Sequence, residues 1–112
     1  MDALAKLLPA EAKTHATLNG NEWVLPFYMA EQAVGIASAH LIAVLGVERF
    51  RILPHGLGVE DYGWYDFSEG GDWPTYVSLM NRAALEWIDQ RERGDGFGYI
   101  LTSASEDEFK AC

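Results

Sequence analysis

The sequence lacks several features on which small proteins build known chemistries. Its single cysteine, Cys112, has no partner for an intrachain disulfide, which fits a reducing compartment, and we expect a cytoplasmic protein. Pro9 interrupts the N-terminal segment before an apolar core of signal-peptide length, so we expect no secretion signal. The apolar stretch 24–47 contains Pro26 and several polar residues, so its uninterrupted apolar run falls far short of the roughly 20 residues that span a bilayer. We therefore expect no membrane partner.

Basic residues are also scarce. The chain has 8 Lys and Arg against 17 Asp and Glu, a formal net charge of −9, and neither 14–48 nor 52–81 contains a base. Because phosphate neutralisation requires clustered Lys and Arg, this composition excludes direct binding to nucleic acid. A simpler explanation of the acidity is that net charge keeps the protein soluble.

No motif indicates a metal or a cofactor. His15, His40 and His55 stand apart, without the HxH or HxxxH spacing or the cysteine partner of a metal site. We expect His40 to be a core histidine within an apolar helix. Gly56 and Gly58 belong to neither a dinucleotide fingerprint nor a P-loop, and no serine has the sequence context of a catalytic nucleophile.

His55 is a weak catalytic candidate. It lies in the segment 54–61, which its glycines predict to be a mobile loop, and it is close in sequence to Glu60 and Asp61. A histidine beside a carboxylate can act as a general base. One functional alternative is therefore a small enzyme or small-molecule-binding domain with its pocket near this loop. Loops also carry such residues simply for solvation.

The most informative segment is 59–76, VEDYGWYDFSEGGDWPTY, which combines six aromatic residues with five acids and no base. Aromatic rings supply contact area at low entropic cost, and carboxylates select a positively charged partner. The residues that we expect to bind such a partner are Glu60, Asp61, Tyr62, Trp64, Asp66, Glu69 and Asp72. In the alternative, every ring except those of Tyr62 and Trp64 faces the core.

The segment 29–45 has the composition of a helix, which Gly46 can cap. Apolar residues surround this helix, so we expect other elements to cover most of its sides. Gly35, Ala39 and Ala43 form a row of small residues at four-residue spacing. The sheet and the N-terminal segment can supply the cover. Alternatively, a second copy packs on this seam, in a homodimer or a homo-oligomeric structural component.

Local patterns near the N-terminus and the middle of the chain indicate strands. The pair at 19–20, Asn-Gly, predicts a hairpin, with a helix capped at Gly20 as the alternative. Period-two alternation predicts a strand at 47–53, in which Arg49 points outward and lies opposite Asp66 of a second strand at 62–67.

The C-terminal half contains clear helix signals. Asp72 fits the N-cap of a helix that runs to about residue 93. A last strand follows at 97–102, and Ser105 with Glu108 fits a capping box that opens a short terminal helix.

The order of these elements predicts one α+β domain over residues 1–112. Strand, helix, strand, strand, helix, strand is the ferredoxin-like pattern, with two principal helices on one face of a mainly antiparallel sheet of four or five strands. Composition and charge then favour a small acidic cytoplasmic module that binds a basic protein, as an inhibitor, an immunity protein or an anti-defence factor does.

Overall fold

Three antiparallel strands and two long helices make up most of the structure, a computed structural model that describes residues 2–10, 17–19, 22–66, 71–91 and 96–110. In chain order the elements are α1 (Asp2–Leu7), β1 (Thr17–Asn19), β2 (Glu22–Val24), α2 (Phe27–Ala39), β3 (Ala43–Leu53), β4 (Gly56–Tyr65), α3 (Trp73–Asp89), β5 (Phe97–Ala104) and α4 (Glu106–Lys110). Over these ranges, every helix is too short or too polar to cross a membrane. The predicted α+β class is confirmed.

The central strand of the sheet is β3, which pairs antiparallel with β4 on one side and with β5 on the other. Leu25, directly after β2, exchanges both backbone hydrogen bonds with Tyr99 of β5 at 2.7 Å. At this point the antiparallel layer is therefore four strands wide. The ferredoxin-like order is not confirmed, because in that fold the second strand of the pattern lies at an edge of the sheet.

Helix α2 ends at Ala39, six residues before the predicted end at residue 45. The end is a Schellman motif, in which the Ile42 N–H donates to the Ala37 carbonyl at 2.8 Å and the Leu41 N–H donates to the Ser38 carbonyl at 3.3 Å. Leu41 supplies the left-handed residue of this motif, with a φ of 55°. For a residue other than glycine this conformation costs roughly 1–2 kcal/mol.

The helix itself is confirmed, but its predicted C-terminal end was wrong because residues 43–46 open strand β3. A short apolar run in a buried strand has the same hydrophobicity pattern as a buried helix, so periodicity alone does not separate them. Gly46 lies opposite Tyr65, and a Cβ at this position would meet the Tyr65 ring and come within 2.9 Å of the Trp64 carbonyl oxygen. Glycine at position 46 therefore allows close packing of β3 against Tyr65 of β4, and it does not cap a helix.

The predicted register between β3 and β4 was also wrong. Arg49 lies opposite Tyr62 and not opposite Asp66. Arg49 is buried, and its guanidinium carbon lies 3.6 Å from the centroid of the Phe97 ring. Arg51, two residues further along β3, is exposed. Two irregularities in the β3–β4 pairing shift the register, and alternation in the sequence does not reveal such bulges.

The connection between β3 and β4 is a tight turn and not the predicted loop 54–61. Leu53 pairs with Gly56, which leaves the two residues Pro54 and His55 at the turn. Residues 56–61 belong to β4. Glycines indicate positions where unusual dihedral angles occur, and Gly56 has a φ of 147°. They do not indicate how long a connection is, and for this reason the predicted loop was too long.

Three local predictions are confirmed. β1 and β2 pair as an antiparallel hairpin with Asn19 opposite Glu22, and residues 20 and 21 lie outside the described residues. Asp72 caps α3. Ser105 and Glu108 form both hydrogen bonds of the capping box.

Two clusters of buried side chains join the helices to the sheet. The larger cluster connects α1, α2 and α3 with β3 and β5, and it includes Leu4, Val34, Val47, Ile88 and Tyr99. The smaller cluster connects the first half of α3 with the start of β3 and the end of β5, and it consists of Ala43, Leu45, Tyr76, Val77, Met80 and Ala104. Tyr76 of the smaller cluster also lines a groove at the surface.

Candidate functional site

A groove opens beside the smaller core cluster, where the beginning of α3, helix α4 and the α2–β3 connection meet. Its volume is about 860 Å³, within the range of roughly 300–1,000 Å³ that is usual for ligand sites. The residues that line it are Leu41, Gly71, Asp72, Trp73, Pro74, Tyr76, Glu106, Phe109 and Lys110. We refer to this site as the aromatic groove.

Three rings, those of Trp73, Tyr76 and Phe109, form the apolar wall of the aromatic groove. Each pair of ring centroids is 5.4 Å apart, with interplanar angles from 34° to 51°. Aromatic pairs at such distances contribute about 0.5–1.5 kcal/mol beyond the burial of their area. The three rings therefore stabilise one another as a single cluster.

The orientation of Trp73 is fixed by the end of α2. Its indole Nε1–H donates a hydrogen bond of 2.7 Å to the Leu41 carbonyl oxygen. Leu41 is the left-handed residue of the Schellman motif, and its side chain is 48% exposed at the edge of the groove. Because its only polar atom is already engaged, Trp73 offers a ligand its ring surface alone.

Phe109 is held in place by the capping box of α4. The Ser105 N–H donates to Glu108 Oε1 at 2.8 Å, and the Glu108 N–H donates to Ser105 Oγ at 3.2 Å. The backbone hydrogen bond from Ser105 lowers the pKa of Glu108, so this carboxyl group stays ionised below its ordinary range. The box sets the start of the helix and thereby the position of Phe109, whose N–H donates to the Ser105 carbonyl at 2.9 Å.

Carboxylates border the rings. Asp72 accepts hydrogen bonds from Thr75 Oγ1 at 2.9 and 3.0 Å and from the Thr75 N–H at 3.2 Å. These bonds, the side-chain ones first, lower the pKa of Asp72, so it is charged at neutral pH. Glu106 forms an ion pair with Lys110, with Nζ 3.2 Å from Oε2 and both side chains exposed.

Tyr76 forms the buried base of the groove. Its side chain is only 4% exposed, and among the described residues its hydroxyl group has no hydrogen-bond partner. Burial raises the pKa of the Tyr76 phenol, and the nearby negative charge of Asp66 raises it further. Tyr76 therefore stays neutral at physiological pH, and Asp66 contributes negative charge close to the rings.

The predicted partner-binding residues divide into three groups. Asp72 lines the aromatic groove, and Asp66 is close enough to act on the Tyr76 phenol. Trp64 is half-buried against both core clusters, so the prediction that it is free was wrong, whereas Tyr65 is 46% exposed. Trp64 lies opposite Val47, which is fully buried, so its side chain is on the core face of the sheet and that of the next residue, Tyr65, is on the other face. The side chains of Glu60, Asp61 and Tyr62, and the whole of Glu69, lie outside the described residues.

The other predicted sites are dispersed. Gly35 and Ala39 are exposed on α2, but Ala43 is fully buried in β3, so the predicted oligomer seam was wrong. His55 is exposed at the β3–β4 turn, away from the groove-lining residues. The prediction of a buried His40 was also wrong, because it is the exposed C-cap of α2. Within the described ranges, no three His, Cys, Asp or Glu side chains could together hold a metal ion.

The sequence did not point to Leu41, Glu106, Phe109 or Lys110 as parts of the site. The capping box predicts a helix that carries the last three of these residues. It does not predict where that helix packs. Strand β5 runs antiparallel to β3 and ends opposite Ala43, and this pairing brings α4 to the start of α3.

Comparisons of the chain with protein-family models, with curated proteins and with solved structures find no match. The geometry of the aromatic groove and the charge of the chain therefore provide the basis for a functional proposal.

Proposed function

We propose that this protein is a cytoplasmic binding module that engages a basic protein partner through the aromatic groove, in the manner of an inhibitor or an immunity-type protein. The observation that supports the proposal is the meeting of three packed rings with two carboxylates, those of Asp72 and Glu106, in one groove. Rings of this kind are typical anchors of protein interfaces, and carboxylates around them select a positively charged partner.

The charge balance of the groove supports a cationic ligand. The beginning of α3 carries the partial positive charge of a helix N-terminus, which on its own would favour an anion. Asp72 places a full negative charge at this end and takes up the Thr75 N–H, which makes that donor unavailable to an anion. Glu106 adds a second carboxylate and Lys110 offsets one of the two, so the groove lining keeps one net negative charge on a chain whose net charge is −9.

The decisive variant neutralises the groove and preserves its shape. Asp72→Asn keeps an N-cap residue of equal quality, and Glu106→Gln keeps the length of the side chain. The matched control is Glu86→Gln with Asp89→Asn, which changes the net charge equally in the last turn of the 17-residue α3, about 15 Å or more along the helix from the groove residue Tyr76. At that distance a charge is screened at physiological ionic strength.

The measurement is affinity capture from the native cell extract with each form of the protein, followed by titration of every captured protein in purified form. We expect a basic partner that binds the wild type and the control variant. It should bind the double variant at least ten times more weakly, since two charge-pair contacts are lost. Binding should also weaken between about 0.1 M and 1 M salt, over which the Debye length falls from about 10 Å to about 3 Å. A partner that binds the double variant and the wild type equally well would refute the proposal.

A small cationic molecule is the second candidate ligand. The volume of about 860 Å³ favours it, because a metabolite-sized compound fits such a space. A dialysable compound recovered with the wild type and lost with the double variant would support this candidate. The earlier alternative of a pocket near the segment 54–61 has no basis in the geometry, because that segment is a tight turn followed by a strand.

A further inference from the structure

We infer that the occupant of the aromatic groove is an arginine side chain of the partner, which displaces Lys110 from Glu106. This inference rests on the proposed function and specifies the group that the partner presents. It follows from the spacing of the three rings, from the hydrogen bonds that Asp72 and Glu106 already make, and from the weakness of the ion pair between Glu106 and Lys110.

The rings are too close together to enclose a cation. Because their centroids form a triangle with sides of 5.4 Å, its centre is about 3 Å from each centroid, which leaves no space for an ammonium group between the rings. A cation can instead lie on the outer surface of the cluster. A flat guanidinium group makes full stacking contact in that position, whereas an ammonium group is compact and strongly hydrated and gains less from an open aromatic surface.

The same chain stacks its own arginines on aromatic rings elsewhere. The guanidinium carbon of Arg91 lies 4.1 Å from the Trp87 ring centroid, and that of Arg49 lies 3.6 Å from the Phe97 ring centroid. The contact that we infer for the partner therefore has the geometry of two contacts within this fold.

The carboxylates of Asp72 and Glu106 differ in their capacity to accept hydrogen bonds from a guanidinium group. Asp72 directs both oxygens to Thr75, so its main contribution is charge. Glu106 is the carboxylate that can accept a bidentate pair of hydrogen bonds from a guanidinium group. At present it is paired with Lys110, one turn along the same short helix and largely exposed. Exposed pairs of this kind are weak, so an incoming arginine can replace Lys110 at little cost.

The test uses three blocked tripeptides, acetyl-Gly-X-Gly-amide, in which X is arginine, lysine or citrulline. Citrulline has nearly the shape of arginine but carries no charge. Binding is followed by NMR through the indole N–H signal of Trp73, which the Trp73→Phe variant identifies. That proton is held by the Leu41 carbonyl next to the groove, so its chemical shift reports on groove occupancy.

We expect the arginine peptide to shift this signal with an affinity at least three times that of the lysine peptide, and we expect no shift from the citrulline peptide. Lys110→Met should tighten arginine binding about two- to five-fold, because it removes both a like charge and the competitor for Glu106. Glu106→Gln should weaken it about five-fold or more. Glu86→Gln is the control and should leave binding unchanged.

Equal binding of the lysine and arginine peptides would overturn the arginine assignment and leave the proposed function intact. An unchanged affinity in Lys110→Met would overturn the displacement of Lys110. Saturable binding of citrulline equal to that of arginine would show that charge has no part, which would count against the proposed function as well. No shift with any peptide would overturn this inference, while the capture experiment with the neutralised groove would still decide the proposed function by itself.

Discussion

Replacement of Asn81 by alanine is expected to destabilise the protein strongly, because this one side chain is the hydrogen-bond partner of buried backbone groups. Asn81 is 2% exposed on α3, and it makes three hydrogen bonds, one each to the end of α2, to the α2–β3 connection and to the start of β3. Its Oδ1 accepts from the Val44 N–H at 2.7 Å, and its Nδ2 donates to the Ile42 carbonyl at 3.0 Å and to Ser38 Oγ at 2.9 Å. The side chain thus satisfies the hydrogen-bonding capacity of backbone groups between the end of α2 and the start of β3.

The magnitude follows from the groups that Asn81→Ala would leave behind. The Val44 N–H and the Ile42 carbonyl would each lose this partner in a buried environment, at about 1–3 kcal/mol per group. The hydroxyl group of Ser38 can turn to water, because Ser38 is exposed. Alanine regains about 0.5 kcal/mol through its higher helix propensity. We therefore expect a loss of about 3 kcal/mol, a large part of the roughly 5–15 kcal/mol that stabilises a typical domain.

Urea unfolding followed by circular dichroism measures this loss as a change in the free energy of unfolding. Ser38→Ala is the matched control, since it removes only the exposed partner of Asn81, and it should cost less than about 1 kcal/mol. A loss below about 1 kcal/mol for Asn81→Ala, or equal losses for both variants, would refute the view that Asn81 matters through the buried backbone groups.

Three further predictions concern the stability of the fold and are tested by the same unfolding measurement. Leu41→Gly should be more stable than Leu41→Ala by about 1 kcal/mol, because only glycine adopts the φ of 55° without strain, and the opposite order would show that the strain is absent. Gly46→Ala should cost about 1–3 kcal/mol through its clash with the Tyr65 ring, whereas Gly35→Ala should gain about 0.5–1 kcal/mol, since a Cβ there meets nothing within 4 Å. The folded-state pKa of Glu108 lies below the ordinary value of 4.5, so its stabilising effect is complete above that pH and is lost as the pH falls through the folded pKa. Glu108→Gln should therefore make stability less dependent on pH in this acid range, and an unchanged acid profile would contradict the assignment.

Local signals in the sequence were sufficient for those features that depend on a few neighbouring residues. The cap at Asp72, the capping box of Ser105 and Glu108 and the hairpin after Asn19 each rely on hydrogen bonds within about four residues. The acidic and aromatic character of the segment 59–76 also drew attention to residues that border the groove.

The features of β3 and β4 that local patterns do not reveal share one physical origin. The apolar run after Ala39 is compatible with helix or strand, and pairing with β4 and β5 on both sides makes it the centre of the sheet. The same pairing sets Arg49 opposite Tyr99 and Trp64 opposite Val47, and because both of these neighbours are fully buried, Arg49 and Trp64 face the core.

By itself the sequence determined that this is an acidic α+β domain with an unusual share of rings and carboxylates in one stretch. Tertiary structure decided which of these residues form a site, because antiparallel pairing of β5 with β3 returns α4 to the beginning of α3. That return brings Phe109 and Glu106 to Trp73 and Tyr76, more than 25 positions earlier in the chain. Contacts between residues so far apart depend on strand pairing and packing, which no local pattern encodes.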